Sequence, residues 1–196
     1  MGTNKHYHYS KSIRLQTWDY RTPWWYFVTI VTANHKNYFG DVCDGKMQLN
    51  QLGSIVKREW LRIAELRKNV ELDYYVVMPN HNHGVIILNP TNDDMNKTNP
   101  IIDKQSYHLE LIDASKSFYS KISPKPNSLS SIIRSFKSAV TKNAKELKFT
   151  DFAWQPRFYD RIMRNERELF NIRNYIELNP LRWDIEKNYP ENIPEL

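Results

Sequence analysis

His81-Asn82-His83 sets two imidazoles two residues apart. In an extended strand that spacing turns both rings to one face. Neutral imidazole is a good ligand for divalent metals, and two such ligands leave coordination positions open for substrate oxygens. Surface or structural histidines give the same His-x-His pattern, so the pair marks a candidate site only. A second constellation is Tyr175-Ile176-Glu177-Leu178-Asn179-Pro180. At 100° per residue, Leu169, Ile172, Arg173 and Ile176 share one side of a helix. Tyr175 and Asn179, four apart, stack along the margin of that stripe. A phenol there can face a cleft as a nucleophile or pack as an ordinary boundary tyrosine. The Asn179 amide can reach a metal or cap the helix.

The elements that must position these groups follow from periodicity. Residues 1–22 are polar and punctuated, an arm or edge segment. Trp25, Phe27, Thr29 and Val31 alternate with Trp24, Tyr26, Val28 and Ile30, which reads as a buried strand. Asn50 is placed to cap a helix carrying Leu52, Val56, Trp60, Ile63 and Leu66. Residues 72–78 and 83–88 are β-rich runs with a Pro79-Asn80 turn between them, an antiparallel pair. Residues 89–127 lose periodicity and read as a long surface loop or insertion. Ser128 starts a helix with Leu129, Ile132, Ile133, Phe136 and Val140 on one side. Residues 157–163 form a short strand candidate, and Asn165 with Glu168 resembles a capping box for a last helix. Pro180 predicts that this helix stops near Asn179. The order strand, helix, strand, strand, helix, strand, helix predicts an α+β fold: a ferredoxin-like antiparallel sheet with helices on one face, plus a C-terminal helix carrying the tyrosine. One domain over 1–184 and a tail over 185–196 are expected.

The net charge of +6 is unevenly spread. Residues 112–182 carry 14 Lys/Arg against 7 Asp/Glu, whereas residues 1–111 carry 13 against 11. The basic stretch also holds Phe136, Phe149, Phe152, Trp154, Phe158, Tyr159 and Tyr175. Cations for phosphates and aromatic faces for bases are what a single-stranded nucleic-acid surface needs. Arg134, Lys137, Arg157, Arg161 and Arg164 are the candidate phosphate contacts, with solvated surface charge as the alternative. No run of 18 apolar residues occurs, so no membrane span is expected. Residues 1–12 have no apolar core of a secretory signal. The single Cys43 cannot make an internal disulfide, so a cytoplasmic location is expected.

Taken together, VVMPNHNHGVIIL and WQPRFYDRIMRNERELFNIRNYIELNP resemble the HUH single-tyrosine transposases, and most closely the REP-associated tyrosine transposase branch. WDYRTPWWYFVTIVTANHKNYFG and SLSSIIRSFKSAVTKNAK support the resemblance, which spans roughly residues 12–88 and 127–184. It implies cleavage and strand transfer on single-stranded or hairpin DNA. It further implies Mg²⁺ or Mn²⁺ held by His81, His83 and Asn179, with Tyr175 attacking a DNA phosphate to give a 5′-phosphotyrosine. A phenol of pKa ~10 is a poor nucleophile at neutral pH, and the sequence names no base for it. Two positions depart from the family pattern. Asn82 stands where a bulky apolar residue is usual, and Asn179 is shorter than the glutamine of many insertion-sequence relatives.

Other readings are weaker. A histidine-triad nucleotide hydrolase would need a third histidine at position 85, where Val85 stands. A metal-dependent hydrolase barrel needs about 250 residues. The serious alternative is a domesticated descendant that binds structured DNA or RNA without cutting it. A homodimer is a further expectation, since one tyrosine per site needs two subunits or successive reactions to break two strands.

Overall fold

The computed structural model describes Leu15, residues 17–91 and residues 125–188. Residues 1–14, Gln16, most of the expected 89–127 insertion and residues 189–196 lie outside the described residues. Strand β1 (Trp25–Val31) is followed by a hairpin of β2 (Gly40–Cys43) and β3 (Lys46–Leu49), then helix α1 (Gln51–Leu66). Strands β4 (Val70–Val77) and β5 (His81–Leu88) come next. Helix α2 (Leu129–Glu146), strand β6 (Tyr159–Ile162) and helix α3 (Glu166–Asn188) complete the described chain.

The main sheet runs β4-β5-β1-β6, antiparallel throughout. Setting aside the β2–β3 hairpin, this is the order expected of a ferredoxin-like split βαβ. Strand alternation sends Tyr26, Val28 and Ile30 to one face, where they pack with Leu52, Val56, Trp60 and Ile63 of α1 and Ile132, Ile133 and Phe136 of α2. The other face carries Phe27, Val85 and Ile87, packed with Met163 and with Leu169, Ile172 and Ile176 of α3. Two helices therefore lie on one face, and the tyrosine helix covers the other.

Local signals start these helices where the sequence puts them. Asn50 Oδ1 accepts from Gly53 N (2.9 Å), and Ser128 Oγ accepts from Ser131 N (3.3 Å). At α3, Asn165 Oδ1 accepts from Glu168 N (2.9 Å), while Glu168 Oε2 reaches back to Arg164 N (2.8 Å).

Three expectations need correction. Helix α3 does not stop at Asn179 but runs through Pro180 to Asn188, so residues 185–188 belong to the helix and not to a tail. Pro180 removes one intrahelical donor, but tertiary contacts hold the second half in place. Asp184 Oδ2 accepts from Gly45 N (2.9 Å), and Leu181 lies against Gly45. The β2–β3 hairpin was not foreseen, although Asp44-Gly45 at φ 51° and 66° is a standard hairpin turn. Strand β5 begins at His81, two residues earlier than the periodicity implies, so both imidazoles are strand residues.

Candidate active site

The site is assembled from three elements. Strand β5 supplies His81 and His83, β1 supplies Thr29 and Phe27 on the same face, and α3 supplies Tyr175 and Asn179. The two imidazole centroids are 4.5 Å apart. The Tyr175 hydroxyl lies 3.2 Å from His83 Nε2. Phe27 stacks on His83 with centroids 5.4 Å apart and meets the Tyr175 ring edge-on at 6.2 Å. One aromatic side chain thus packs against both rings. Asn179 is buried beside His81, close enough for its amide to favour the charged form of that ring. Trp183, one turn further along α3, approaches His81 at 5.9 Å between centroids.

Outer partners orient the rings. Asn80 Nδ2 donates to the His35 carbonyl (3.0 Å), which leaves its Oδ1 as the acceptor at His81 Nδ1 (2.7 Å). The His81 proton must then sit on Nδ1, with a lone pair on Nε2. His83 Nδ1 pairs with Thr29 Oγ1 at 2.8 Å. When that nitrogen carries the proton, the His83 lone pair likewise sits on Nε2, facing the Tyr175 hydroxyl. Burial pushes both imidazoles down, His81 to about 4 and His83 to about 3. For His81 the Asn179 hydrogen bond offsets part of this and the nearby His35 adds to it; for His83 the nearby His81 adds to it. Both rings are therefore neutral, the form that binds metals.

Among the described residues no group of three or more His, Cys, Asp or Glu gathers at any point. A divalent ion here would have to be held by two imidazole nitrogens and the Asn179 amide oxygen. That set fits: both rings are neutral, one is fixed in the ligating tautomer, and the amide is buried beside it. Two nitrogens and one oxygen suit a transition or hard divalent ion with positions left open.

The basic candidates do not converge on this site. Arg134 is exposed on α2, across the sheet from the imidazoles. Lys137 turns its ammonium onto the carbonyls of Gln155 (2.6 Å) and Arg157 (2.8 Å), and burial pushes its pKa down to about 8. Arg157 is exposed with φ 69°. Arg161 pairs with Glu168 at 2.5 Å on the α3 side, and Arg164 is exposed beside it. Sequence reasoning missed Thr29, Asn80 and Phe27, which orient the rings, and named Tyr159 only as one aromatic of the basic stretch. Tyr159 pairs in register with Thr29, which pairs with His83, so an exposed aromatic stands on the same face of the sheet. The parity of Thr29 in β1 was a usable signal, whereas its pairing with His83 is long-range.

The fold is that of the REP-associated tyrosine transposases. A REP-associated tyrosine transposase solved bound to a REP hairpin superposes with a TM-score of 0.54 at 18% identity, covering 89% of this chain and 74% of that one. An uncharacterized protein of Haemophilus influenzae is 32% identical over 182 residues, 93% of this chain and 94% of its own length, and this chain belongs to the same family. No family model matches the sequence. Among the described residues no helix is long and apolar enough to cross a membrane.

Proposed function

We propose that this chain is a transposase-like enzyme that cuts and rejoins single-stranded DNA, with Tyr175 as nucleophile. The observation that carries the reading is the 3.2 Å approach of the Tyr175 hydroxyl to His83 in a buried two-histidine cluster. The Tyr175 oxygen attacks a DNA phosphorus, the bond to the 3′-oxygen breaks, and that oxygen leaves as a 3′-hydroxyl after taking up a proton. The 5′-phosphotyrosine keeps the phosphodiester energy. A second 3′-hydroxyl then attacks the same phosphorus, releases the phenol and joins the strands without ATP. Mg²⁺ or Mn²⁺ bound by His81, His83 and Asn179 would supply Lewis-acid polarisation of the scissile phosphate.

His83 positions the phenol and does not deprotonate it. Burial holds that imidazole well below the ordinary histidine range, which makes it a weak base. The proton must leave to solvent or to the DNA. Phe27 and Asn179 hold the ring and the helix end while the exposed side of the cleft admits the strand. The neighbour solved with a REP hairpin supports hairpin DNA as the substrate class, and Arg134, Arg157, Arg161 and Arg164 are the phosphate contacts we propose for it, whereas Lys137 is occupied by the Gln155 and Arg157 carbonyls.

The test is incubation with a hairpin-bearing single-stranded oligodeoxynucleotide and Mg²⁺ or Mn²⁺, followed by a denaturing gel. The expected result is a shortened strand and a protein–DNA adduct, both lost in Tyr175→Phe. Binding without adduct in the intact chain would instead identify a non-catalytic binder of structured DNA or RNA. Light scattering with and without the oligonucleotide separates a homodimer from a monomer that acts twice.

A further inference from the structure

Helix α2 and the loop that follows it flank an open groove away from the imidazoles. A cavity of about 620 Å³ lies between one face of α2 and residues 152–156. Lys137, Lys142 and Lys145 line the helical wall, and Phe152 and Trp154 line the other. No Asp or Glu among the described residues lines it. The nearby Asp151 carboxylate is already held by Lys36.

The two walls differ in chemistry. Lys142 and Lys145 are exposed and make no ion pair among the described residues, so their ammonium groups are free to meet an anion. Trp154 is half-buried and braced by Phe39, Phe136 and Phe152, with its indole N–H on the Lys137 carbonyl (3.3 Å). A braced indole loses little freedom on stacking, which suits a planar ligand. Lys137 gives two of its three donors to the loop carbonyls, so its role is to hold the aromatic wall against the helix.

The cavity also has a definite position relative to the histidines. Trp154 bridges Thr32, one residue past Val31, and Val31 pairs with His81. Two strand spacings, about 10 Å, separate the Trp154 and His81 backbones. Gln155 Nε2 lies 3.0 Å from His35 Nε2, and the His35 carbonyl holds Asn80, the partner of His81. The groove therefore lies on the α1/α2 side of the sheet, near the end of β1 whose opposite face carries the imidazoles, and a DNA strand reaching both sites has to pass around that end.

We propose that this groove seats one nucleotide of a single-stranded DNA substrate, with a phosphate on Lys142 and Lys145 and a base against Trp154. The choice of DNA rests on the function proposed above. The two-walled chemistry does not.

The experiment measures binding of a short fluorescein-labelled single-stranded oligodeoxynucleotide to the full chain by anisotropy across a salt series. In Lys142→Gln/Lys145→Gln we expect at least a tenfold loss of affinity at low salt. The slope of log affinity against log salt should become shallower by about 1.4, from two contacts at about 0.7 each. Both lysines are exposed, so the melting temperature should not move, and Lys142→Arg/Lys145→Arg should restore the slope. A halogenated-uracil oligonucleotide should photo-crosslink to the peptide carrying Trp154. Unchanged affinity and slope, or crosslinks confined to α3, would overturn the proposal and leave strand transfer by Tyr175 intact. DNA binding that depends on the lysines, in a chain that forms no Tyr175 adduct, would sustain this site and sink the cleavage reading. Absence of DNA binding by the unaltered chain would sink both, and binding of an RNA of the same sequence in preference to DNA would overturn the ligand assigned here.

Discussion

The two faces of strand β5 divide the work of the molecule between them. On the α1/α2 face, Ile86 and Leu88 join a broad hydrocarbon core whose largest member is the fully buried Trp60. On the α3 face, a smaller apolar cluster around Val85, Met163, Leu169 and Ile176 holds one end of the strand. The other end of that face is given to His81 and His83. Both faces exclude water, yet on one side exclusion stabilises the fold and on the other it keeps two rings uncharged. Polar groups are treated differently too. The site imidazoles each have a partner, whereas Asn82 on the core face is fully buried with neither amide atom hydrogen-bonded among the described residues.

The largest expected effect comes from acid acting on the α3 face. An imidazole in the unfolded chain gains its proton near 6.5, but the folded values are about 4 and about 3. Below pH ~6.5 the unfolded state takes up protons that the folded state refuses, so stability is full above that pH and declines as pH falls toward 4 and then 3. By about pH 5 the two rings together remove up to about 4 kcal/mol. Urea unfolding of the metal-free chain at about pH 7 and pH 5 should show this decline. It should shrink markedly in His81→Asn/His83→Gln. An equal decline in the variant would mean that the imidazoles are not the acid-sensitive groups.

Gly84 probes the opposite face. A Cβ there would come within 2.3 Å of Trp60 Cζ2, and that ring is packed on all sides. Gly84→Val should destabilise the chain by about 3 kcal/mol through overpacking. Thermal unfolding measures it. If the variant keeps its Mn²⁺ affinity while folded, the two faces are energetically separable.

How far this division was legible in the sequence depends on the range of the interaction. The caps at Asn50, Ser128 and Asn165 and the shared face of His81 and His83 are local, and period and residue type announce them. The meeting of Tyr175 with His83 entered through the family resemblance, because helix spacing places a phenol at a margin without saying which strand it faces. The continuation of α3 past Pro180 was not legible, since the compensating contacts come from Gly45, over a hundred residues away in sequence. Thr29 was hidden for the same reason: its role exists only once β1 pairs with β5 in register.

Thr29 can sharpen the comparison on the α3 face. Thr29→Val keeps the shape of the side chain but removes the oxygen facing His83 Nδ1. The ring then loses its preference for the ligating tautomer, and Mn²⁺ affinity should fall by about tenfold or more, the usual consequence of deleting such an outer partner. Calorimetry on the two proteins gives the ratio directly. Asn82→Leu tests the core face in the other sense. Replacing an amide without partners by hydrocarbon should stabilise the fold by about 1 kcal/mol, read from the urea midpoint, with metal affinity unchanged. A loss of stability would show that the amide has a partner the described residues do not include.

The smallest effect lies where the two roles of one atom collide. His83 Nε2 offers a single lone pair once Nδ1 holds its proton, and the Tyr175 hydroxyl lies 3.2 Å from it. A metal ion at Nε2 must displace that phenol, so the hydrogen bond opposes loading by its net worth of about 1 kcal/mol. Tyr175→Phe should therefore bind Mn²⁺ about fivefold more tightly than the intact chain, even as it loses all adduct formation. Titration of both proteins by calorimetry decides the matter. Weaker binding in the variant would mean that the phenol oxygen helps to hold the ion, and Tyr175 would then belong to the ligand set.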